Sequence, residues 1–301
     1  MTNLFCFGLG YAAEHFLAAF ATKFDRIAGT VRSRERAREF SRGGRTLDVV
    51  VFDGAIDGAP PAPAIAEQLA ETDCLLVSVP PDERGDPVLR HCADAIARAP
   101  RLSTIVYLST VGVYGDHGGA WVDESTAANP VSARSAERLA AEEDWRALAV
   151  GTGKALAIFR LPGIYGPGRN ALLQVAGGTA RRIVKPGQVF NRVHVADIAA
   201  AVAAAFARRA DGVFNVTDDE PSEPGAPIAF AADLLGMLPP PEVAFADAAK
   251  TMSEMALSFW RESKRVWNDK MKRELGVRLA YPTYREGLRT LFAAGEGRSR
   301  G

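Results

Sequence analysis

Phe5-Cys6-Phe7-Gly8-Leu9-Gly10-Tyr11-Ala12-Ala13 reads as an apolar strand that runs into a glycine turn and on into a helix. Gly8 permits the tight turn, Gly10 lets backbone amides approach a phosphate, and Ala13 lets the helix pack against the strand. The helix N-terminus then presents free N–H groups and the positive end of its dipole to a phosphate, with Tyr11 and Ala12 as candidate cofactor contacts. Alone, such a turn is a weak signal. Its weight depends on what surrounds it.

The first half of the chain alternates short β-rich runs with helical stretches. Strands are expected at Leu4–Phe7, Arg26–Val31, Asp48–Phe52, Cys74–Val79, Thr104–Leu108 and Ala155–Arg160. Helices are expected at Ala12–Ala21, Arg34–Phe40, Ile65–Glu71, Val88–Arg98 and Ser135–Ala149. Near-continuous apolar strands separated by helices imply an α/β fold with a parallel sheet covered on both faces. The glycine turn sits at the first strand of that pattern, which is the dinucleotide position of a Rossmann-type doubly wound sheet.

After about residue 165 the rhythm breaks. Gly166-Pro167-Gly168, Gly177-Gly178 and Pro186-Gly187 punctuate short elements, before a helix (Val195–Arg208) and a strand (Gly212–Val216) return. Residues 1–165, with 188–217 returning to them, are therefore expected to form the NAD(P)-binding domain. Residues 166–187 and 218–301 are expected to form a smaller C-terminal substrate lobe, with 295–301 frayed.

The end of the second strand bears on the choice of cofactor. An Asp or Glu there would grip the ribose 2′-hydroxyl of NAD, but the sequence is Gly29-Thr30-Val31-Arg32-Ser33. Arg32 and Ser33 suit a 2′-phosphate instead, which favours NADP over NAD. Asp53, after the third strand, is placed to meet the adenine edge or to cap a loop. Ser78-Val79-Pro80 ends the fourth strand, where the crevice above the sheet should open.

Lys+Arg and Asp+Glu both number 36, so the formal net charge is zero and nucleic acid is not an expected partner. Leu4 to Phe7 is too short for a signal peptide, and the run from Ile198 to Ala207 is too short to span a membrane. Cys6, Cys74 and Cys92 have no metal-type spacing, and no metal is expected. Cys6 and Cys74 read as core residues in a reducing cytosol. A cytoplasmic protein acting on a small molecule is the expectation, and association into oligomers is compatible with the sequence.

Further motifs resemble the extended or atypical short-chain dehydrogenase/reductase family, the group of NAD-dependent epimerases and dehydratases. Tyr107-Leu108-Ser109-Thr110-Val111-Gly112-Val113-Tyr114-Gly115 resembles its fifth-strand motif, with Thr110 on the active-site Ser/Thr. Arg160-Leu161-Pro162-Gly163-Ile164-Tyr165-Gly166-Pro167-Gly168 resembles the sixth-strand segment that passes the nicotinamide. Val193-His194-Val195-Ala196-Asp197 resembles the segment opening a later helix. With Leu275-Gly276 and Tyr281-Pro282, the resemblance covers nearly the whole chain. It implies cofactor contacts from Ser109 and Pro162 besides those above.

The departure concerns the chemistry. The resemblance implies a Tyr-x-x-x-Lys pair at the start of the helix after Asn129-Pro130. Counting from Pro130 puts Val131 and Ser135 at those positions, and aligning on Leu139-Ala140-Ala141-Glu142 puts Arg134 and Arg138 there. Neither register supplies a phenol, and arginine stays protonated. Tyr165, Tyr114 and His194 are the alternative proton donors. Alternatively, Arg134 and Arg138 hold an anionic substrate or the ribose while Thr110 meets the reacting group, or they pair with Glu137 and Glu142 on an exposed helix face. Arg181, Arg182, Lys185 and Arg192 suit either the diphosphate of a nucleotide-sugar or a solvated surface.

The expected function is an NADP-dependent oxidoreductase or epimerase for a small polar, sugar-derived substrate. The competing expectation is a non-catalytic NADP-binding regulatory or redox-sensing protein.

Overall fold

The computed structural model describes residues 2–42, 47–54 and 63–298. Its strands in chain order begin with β1 (Asn3–Phe7), β2 (Arg26–Val31), β3 (Asp48–Val51), β4 (Cys74–Val77) and β5 (Thr104–Thr110). Next come β6 (Trp121–Val122), β7 (Ala155–Leu161), β8 (Gly163–Tyr165) and β9 (Arg182–Val184). The last are β10 (Arg192–His194), β11 (Gly212–Asn215), β12 (Glu242–Ala244) and β13 (Arg265–Val266).

Side chains alternate across a strand, so an apolar run can feed two cores at once. Leu4 and Cys6 of β1 enter one core with Leu76, Val106 and Phe159, while Phe5 and Phe7 enter the other with Leu75, Ile105 and Ile158. The first core is closed by the helices Tyr11–Phe20 and Val195–Arg208, the second by Pro87–Arg98 and Ala133–Thr152. The result is a seven-stranded parallel sheet in the order β3-β2-β1-β4-β5-β7-β11, a doubly wound fold of Rossmann type.

Chain order reverses between β1 and β4, and a crevice opens there beyond their carboxyl ends. Cys74 to Val79 is read as strand from sequence, but β4 stops at Val77. Ser78 turns away to donate its hydroxyl to Gly8 O at 2.6 Å, and Pro80 and Pro81 have no N–H to continue a ladder. At the other margin β5 runs two residues further than the sequence suggests. Ser109 and Thr110 pair with Arg160 and Leu161 of β7.

The second half builds smaller units. β8 pairs with β10, β9 with β12, and β6 with β13. Tyr165, Leu172, Ile228, Tyr284 and Leu288 form a separate small core. The described part of the tail is not frayed, because Glu296 accepts hydrogen bonds from Gly168 N at 2.9 Å and from the Asn170 amide. Residues 299–301 lie outside the described residues. Among those described, no helix is long and apolar enough to cross a membrane.

Candidate functional site

At the glycine turn, Gly8 has φ +88°, and its N–H donates to Thr30 Oγ1 at 3.0 Å. A Cβ there would lie 2.8 Å from Ser78 Oγ and 3.1 Å from Val79 Cγ2, so only glycine fits. Gly10 differs. It is extended and caps the helix Tyr11–Phe20 with no side chain on the free amides, and a Cβ on it would meet nothing within 4 Å. Open space therefore faces unpaired N–H groups of Tyr11 and Ala12, a cradle of the right kind for a pyrophosphate. Ala13 is fully buried behind it.

Arg32 directly follows β2 and Arg34 opens the helix Arg34–Arg42, both exposed and with no side-chain hydrogen bond or ion pair among the described residues. Ser33 Oγ accepts from Arg36 N at 3.2 Å, starting the helix Arg34–Arg42. Arg36 by contrast is held by Glu14 and Glu39. Thus two free guanidiniums flank a serine where the adenosine ribose of a dinucleotide in this crevice would lie. Asp53 and Pro80 are exposed at the same edge of the sheet, and Val79 is half-buried.

Thr110 ends β5 and caps the short turn Val111–Tyr114, its Oγ1 accepting from Gly112 N at 3.1 Å. That bond uses a lone pair and leaves the hydroxyl proton free to donate. Ser135 approaches the same spot from the helix Ala133–Thr152. A Cβ on Gly112 would lie 2.7 Å from Ser135 Oγ and 3.3 Å from Thr110 Oγ1. Ser132, which caps that helix, donates its hydroxyl to Ser135 Oγ at 3.0 Å. The site is therefore a cluster of hydroxyls with no phenol on the adjacent helix. Val131 and Arg134 are exposed there.

Arg138 donates to Leu108 O at 2.8 Å and to Tyr107 Oη at 3.1 Å, so it braces β5. The surface pairing of Arg138 with Glu142 does not form. Glu142 instead points inward, fully buried, where it takes the Ser109 hydroxyl and two bonds from Arg160 at 3.1 and 2.7 Å. Arg146 adds a bond at 3.2 Å. Arg160 also lies over the Tyr114 ring, 4.6 Å from its centroid. This buried ion pair fastens the helix to the carboxyl ends of β5 and β7, directly under Thr110 and Ser109. Sequence reasoning missed it, although one arginine in the apolar run of β7 is itself a signal, because a buried charge needs a partner.

The other candidate acids have different surroundings. Tyr165 points into the lobe core, its hydroxyl on Thr283 O at 3.3 Å, and burial raises its pKa. Tyr114 is buried with its hydroxyl on Asn215 Oδ1 at 2.8 Å. His194 Nδ1 accepts from Ala196 N at 3.2 Å as a helix cap, and burial, with His15 nearby, lowers its pKa to about 4. It is therefore neutral near pH 7. Pro162 is half-buried just beyond β7.

The basic residues around Pro186 do not converge. Arg181 donates to Thr251 and Arg182 pairs with Glu242. Lys185 donates to Trp260 O, and Arg192 to Phe190 O and Ser222. Each fastens a different loop, so they form no diphosphate clamp.

Known proteins place this geometry. The chain is 32% identical over 186 residues to Protein YeeZ of Escherichia coli (strain K12). That match covers 58% of this chain and 63% of the relative, so the chain spans less than two thirds of the curated protein it resembles. A functionally unknown conserved protein from Silicibacter pomeroyi DSS has a similar solved structure, at 44% identity and a TM-score of 0.86. That likeness covers 98% of this chain and 100% of the other. The fold is also that of dTDP-glucose 4,6-dehydratase from Bacillus anthracis str. Ames in complex with NAD, at a TM-score of 0.76, 16% identity and 98% coverage of both chains. The family model of the NAD dependent epimerase/dehydratase family matches residues 88–217, which run from the helix after β4 to the end of β11. Over that stretch the chain is similar to the NAD dependent epimerase/dehydratase family, and the parallel sheet and glycine turn agree with that likeness.

Proposed function

We propose that the protein is an NADP(H)-dependent oxidoreductase or epimerase acting on a small polar, sugar-derived substrate. The observation that carries the cofactor choice is the pair of exposed guanidiniums of Arg32 and Arg34 around Ser33, with no partner among the described residues. An exposed arginine fork without a counter-ion suits the bidentate geometry of a phosphate. Gly8, Gly10, Tyr11, Ala12 and Ala13 would hold the pyrophosphate. Arg32 and Ser33 would hold the 2′-phosphate, and Asp53, Ser78, Val79 and Pro80 would line the adenosine side. Ser109 and Pro162 would border the nicotinamide end, with residues 166–187 and 218–301 as the substrate lobe.

Titration calorimetry tests this. NADPH should bind at least about tenfold more tightly than NADH, and Arg32→Ala should remove about 1.5–3 kcal/mol from NADPH binding alone, the scale of a charge-assisted hydrogen bond. Equal affinities for the two nucleotides would defeat the assignment.

For the reaction, a bound nicotinamide would supply the hydride donor or acceptor. The free hydroxyl proton of Thr110 would hydrogen-bond the reacting oxygen of the substrate, with Ser135 beside it. Arg134, exposed at the start of the helix, would hold an anionic group of the substrate. Arg138 and Tyr165 are engaged in packing and take positioning roles in this reading. Thr110→Ala should lower turnover by about 10²–10³, the usual effect of deleting one transition-state hydrogen bond. Arg134→Ala should chiefly raise KM. Steady-state kinetics on a substrate found by screening checks both, and an unaffected Thr110→Ala enzyme would remove Thr110 from the mechanism.

One observation favours a second reading, a protein that binds NADP and senses its redox state without turnover. Val131 and Arg134 stand near the start of the helix where the family carries its phenol, and the hydroxyl cluster contains no general base. Tight NADPH binding without turnover, coupled to an NADPH-dependent protein contact, would decide for it.

A further inference from the structure

The segment Gly166–Arg169 is a hairpin whose ends exchange backbone hydrogen bonds, both at 3.0 Å. It follows β8 in sequence, yet it is seated on the glycine turn. Tyr11, the first residue of the helix after Gly10, donates its hydroxyl to Pro167 O at 3.0 Å. Gly166 comes so close that a Cβ on it would lie 2.8 Å from the Tyr11 hydroxyl and 2.7 Å from Val195 Cγ1. On its far side Glu296 holds the hairpin through Gly168 N and the Asn170 amide. The hairpin is thus fixed between the C-terminal turn of the chain and the phosphate cradle.

Arg169 ends this hairpin. Its guanidinium stands 5.8 Å from the centroid of the Tyr11 ring, its side chain is exposed, and it pairs with no carboxylate among the described residues. Tyr11 in turn has its pKa raised to about 12, by burial first, with Arg169 opposing and Glu296 adding to the rise. The Glu296 carboxylate is taken up by the hairpin backbone and Asn170. A positive charge with no paired carboxylate among the described residues therefore stands by the ring of Tyr11, the residue that opens the helix at the phosphate cradle, and both the charge and the free helix amides favour an anionic group.

We propose that Arg169 is a cofactor ligand delivered by the hairpin, which binds the pyrophosphate of the dinucleotide across the cradle from Tyr11 and Ala12. This rests on the dinucleotide reading of the glycine turn, and it adds a pyrophosphate contact from outside the turn itself. A guanidinium fork there would supply the two-point contact that backbone amides on one side lack. Because pyrophosphate is common to both nicotinamide nucleotides, the effect must be blind to the 2′-position, unlike that of Arg32.

The test is titration of the full chain, wild type and variants, with NADPH and with NADH. Arg169→Ala should weaken both nucleotides by the same factor, about tenfold or more, the usual scale for one charge-assisted bond. Arg169→Lys should recover part of that loss, since it keeps the charge but not the fork. Its position on the surface should leave the thermal unfolding of both variants unchanged. Wild-type affinity for both nucleotides in Arg169→Ala would overturn the proposal and leave the cofactor reading standing. A loss confined to NADPH would also overturn it, by moving Arg169 to the 2′-phosphate. A wild-type protein that binds neither nucleotide would overturn the cofactor reading and this proposal with it.

Discussion

Gly10→Val is expected to fold normally and to bind no NADP(H). The two glycines of the turn differ in what they need, and that difference makes the experiment clean. Gly8 needs φ +88° and has Ser78 at its back, so any side chain there strains the backbone as well as the site. Gly10 is extended, at φ −101° and ψ −172°, a conformation open to β-branched residues. Its Cβ would enter empty space, so a valine costs the fold little. That empty space is where the pyrophosphate must come, and two isopropyl methyls would hold it away from the Tyr11 and Ala12 amides. Losing two such bonds to a charged group removes about 3 kcal/mol or more. Calorimetry with NADPH and a thermal melt check the two halves together. Normal binding by a folded Gly10→Val protein would mean that the site lies elsewhere.

Glu142→Ala is expected to destabilise the protein by about 3–5 kcal/mol, the usual cost of stripping one partner from a buried ion pair. Arg160 is only 4% exposed. Burial works against its charge, but hydrogen bonds and attraction from Glu142 outweigh that, so its pKa is raised. Without Glu142, Arg160 keeps its charge with no carboxylate, and the Ser109 hydroxyl loses its acceptor. Replacing both partners, as Glu142→Leu with Arg160→Met, should cost clearly less than Glu142→Ala, because no orphan charge remains. Urea unfolding of the three proteins measures this. A loss below about 1 kcal/mol for Glu142→Ala would show that the pair contributes little.

Most of the sheet was legible because its information is local. Apolar runs such as Leu4–Phe7 and Arg26–Val31 announce strands, and the spacing of Gly8, Gly10 and Ala13 announces the turn that joins β1 to its helix. The arginine that stands after β2, where an acid would serve NAD, was also legible. What escaped was set by contacts far apart in sequence. Arg138 and Glu142 have the spacing of a surface pair, but Arg160 lies on a strand 18 residues beyond Glu142 and takes its carboxylate. β6 and β13 have two residues each and carry no periodicity to detect. The basic residues around Pro186 look like a cluster in sequence, and packing sends each to a different partner. The hairpin Gly166–Arg169 meets Tyr11 across 156 residues, a distance no local pattern bridges.

The central claim, an NADP(H) site running from Arg32 over Gly10 to Thr110, is tested most directly by a crystal structure of the protein grown with NADP(H). The 2′-phosphate should lie on Arg32 and Ser33, the pyrophosphate on the Tyr11 and Ala12 amides, and nicotinamide C4 should face the Thr110 hydroxyl. A nucleotide with its 2′-phosphate away from Arg32, or with its nicotinamide remote from Thr110, would contradict it.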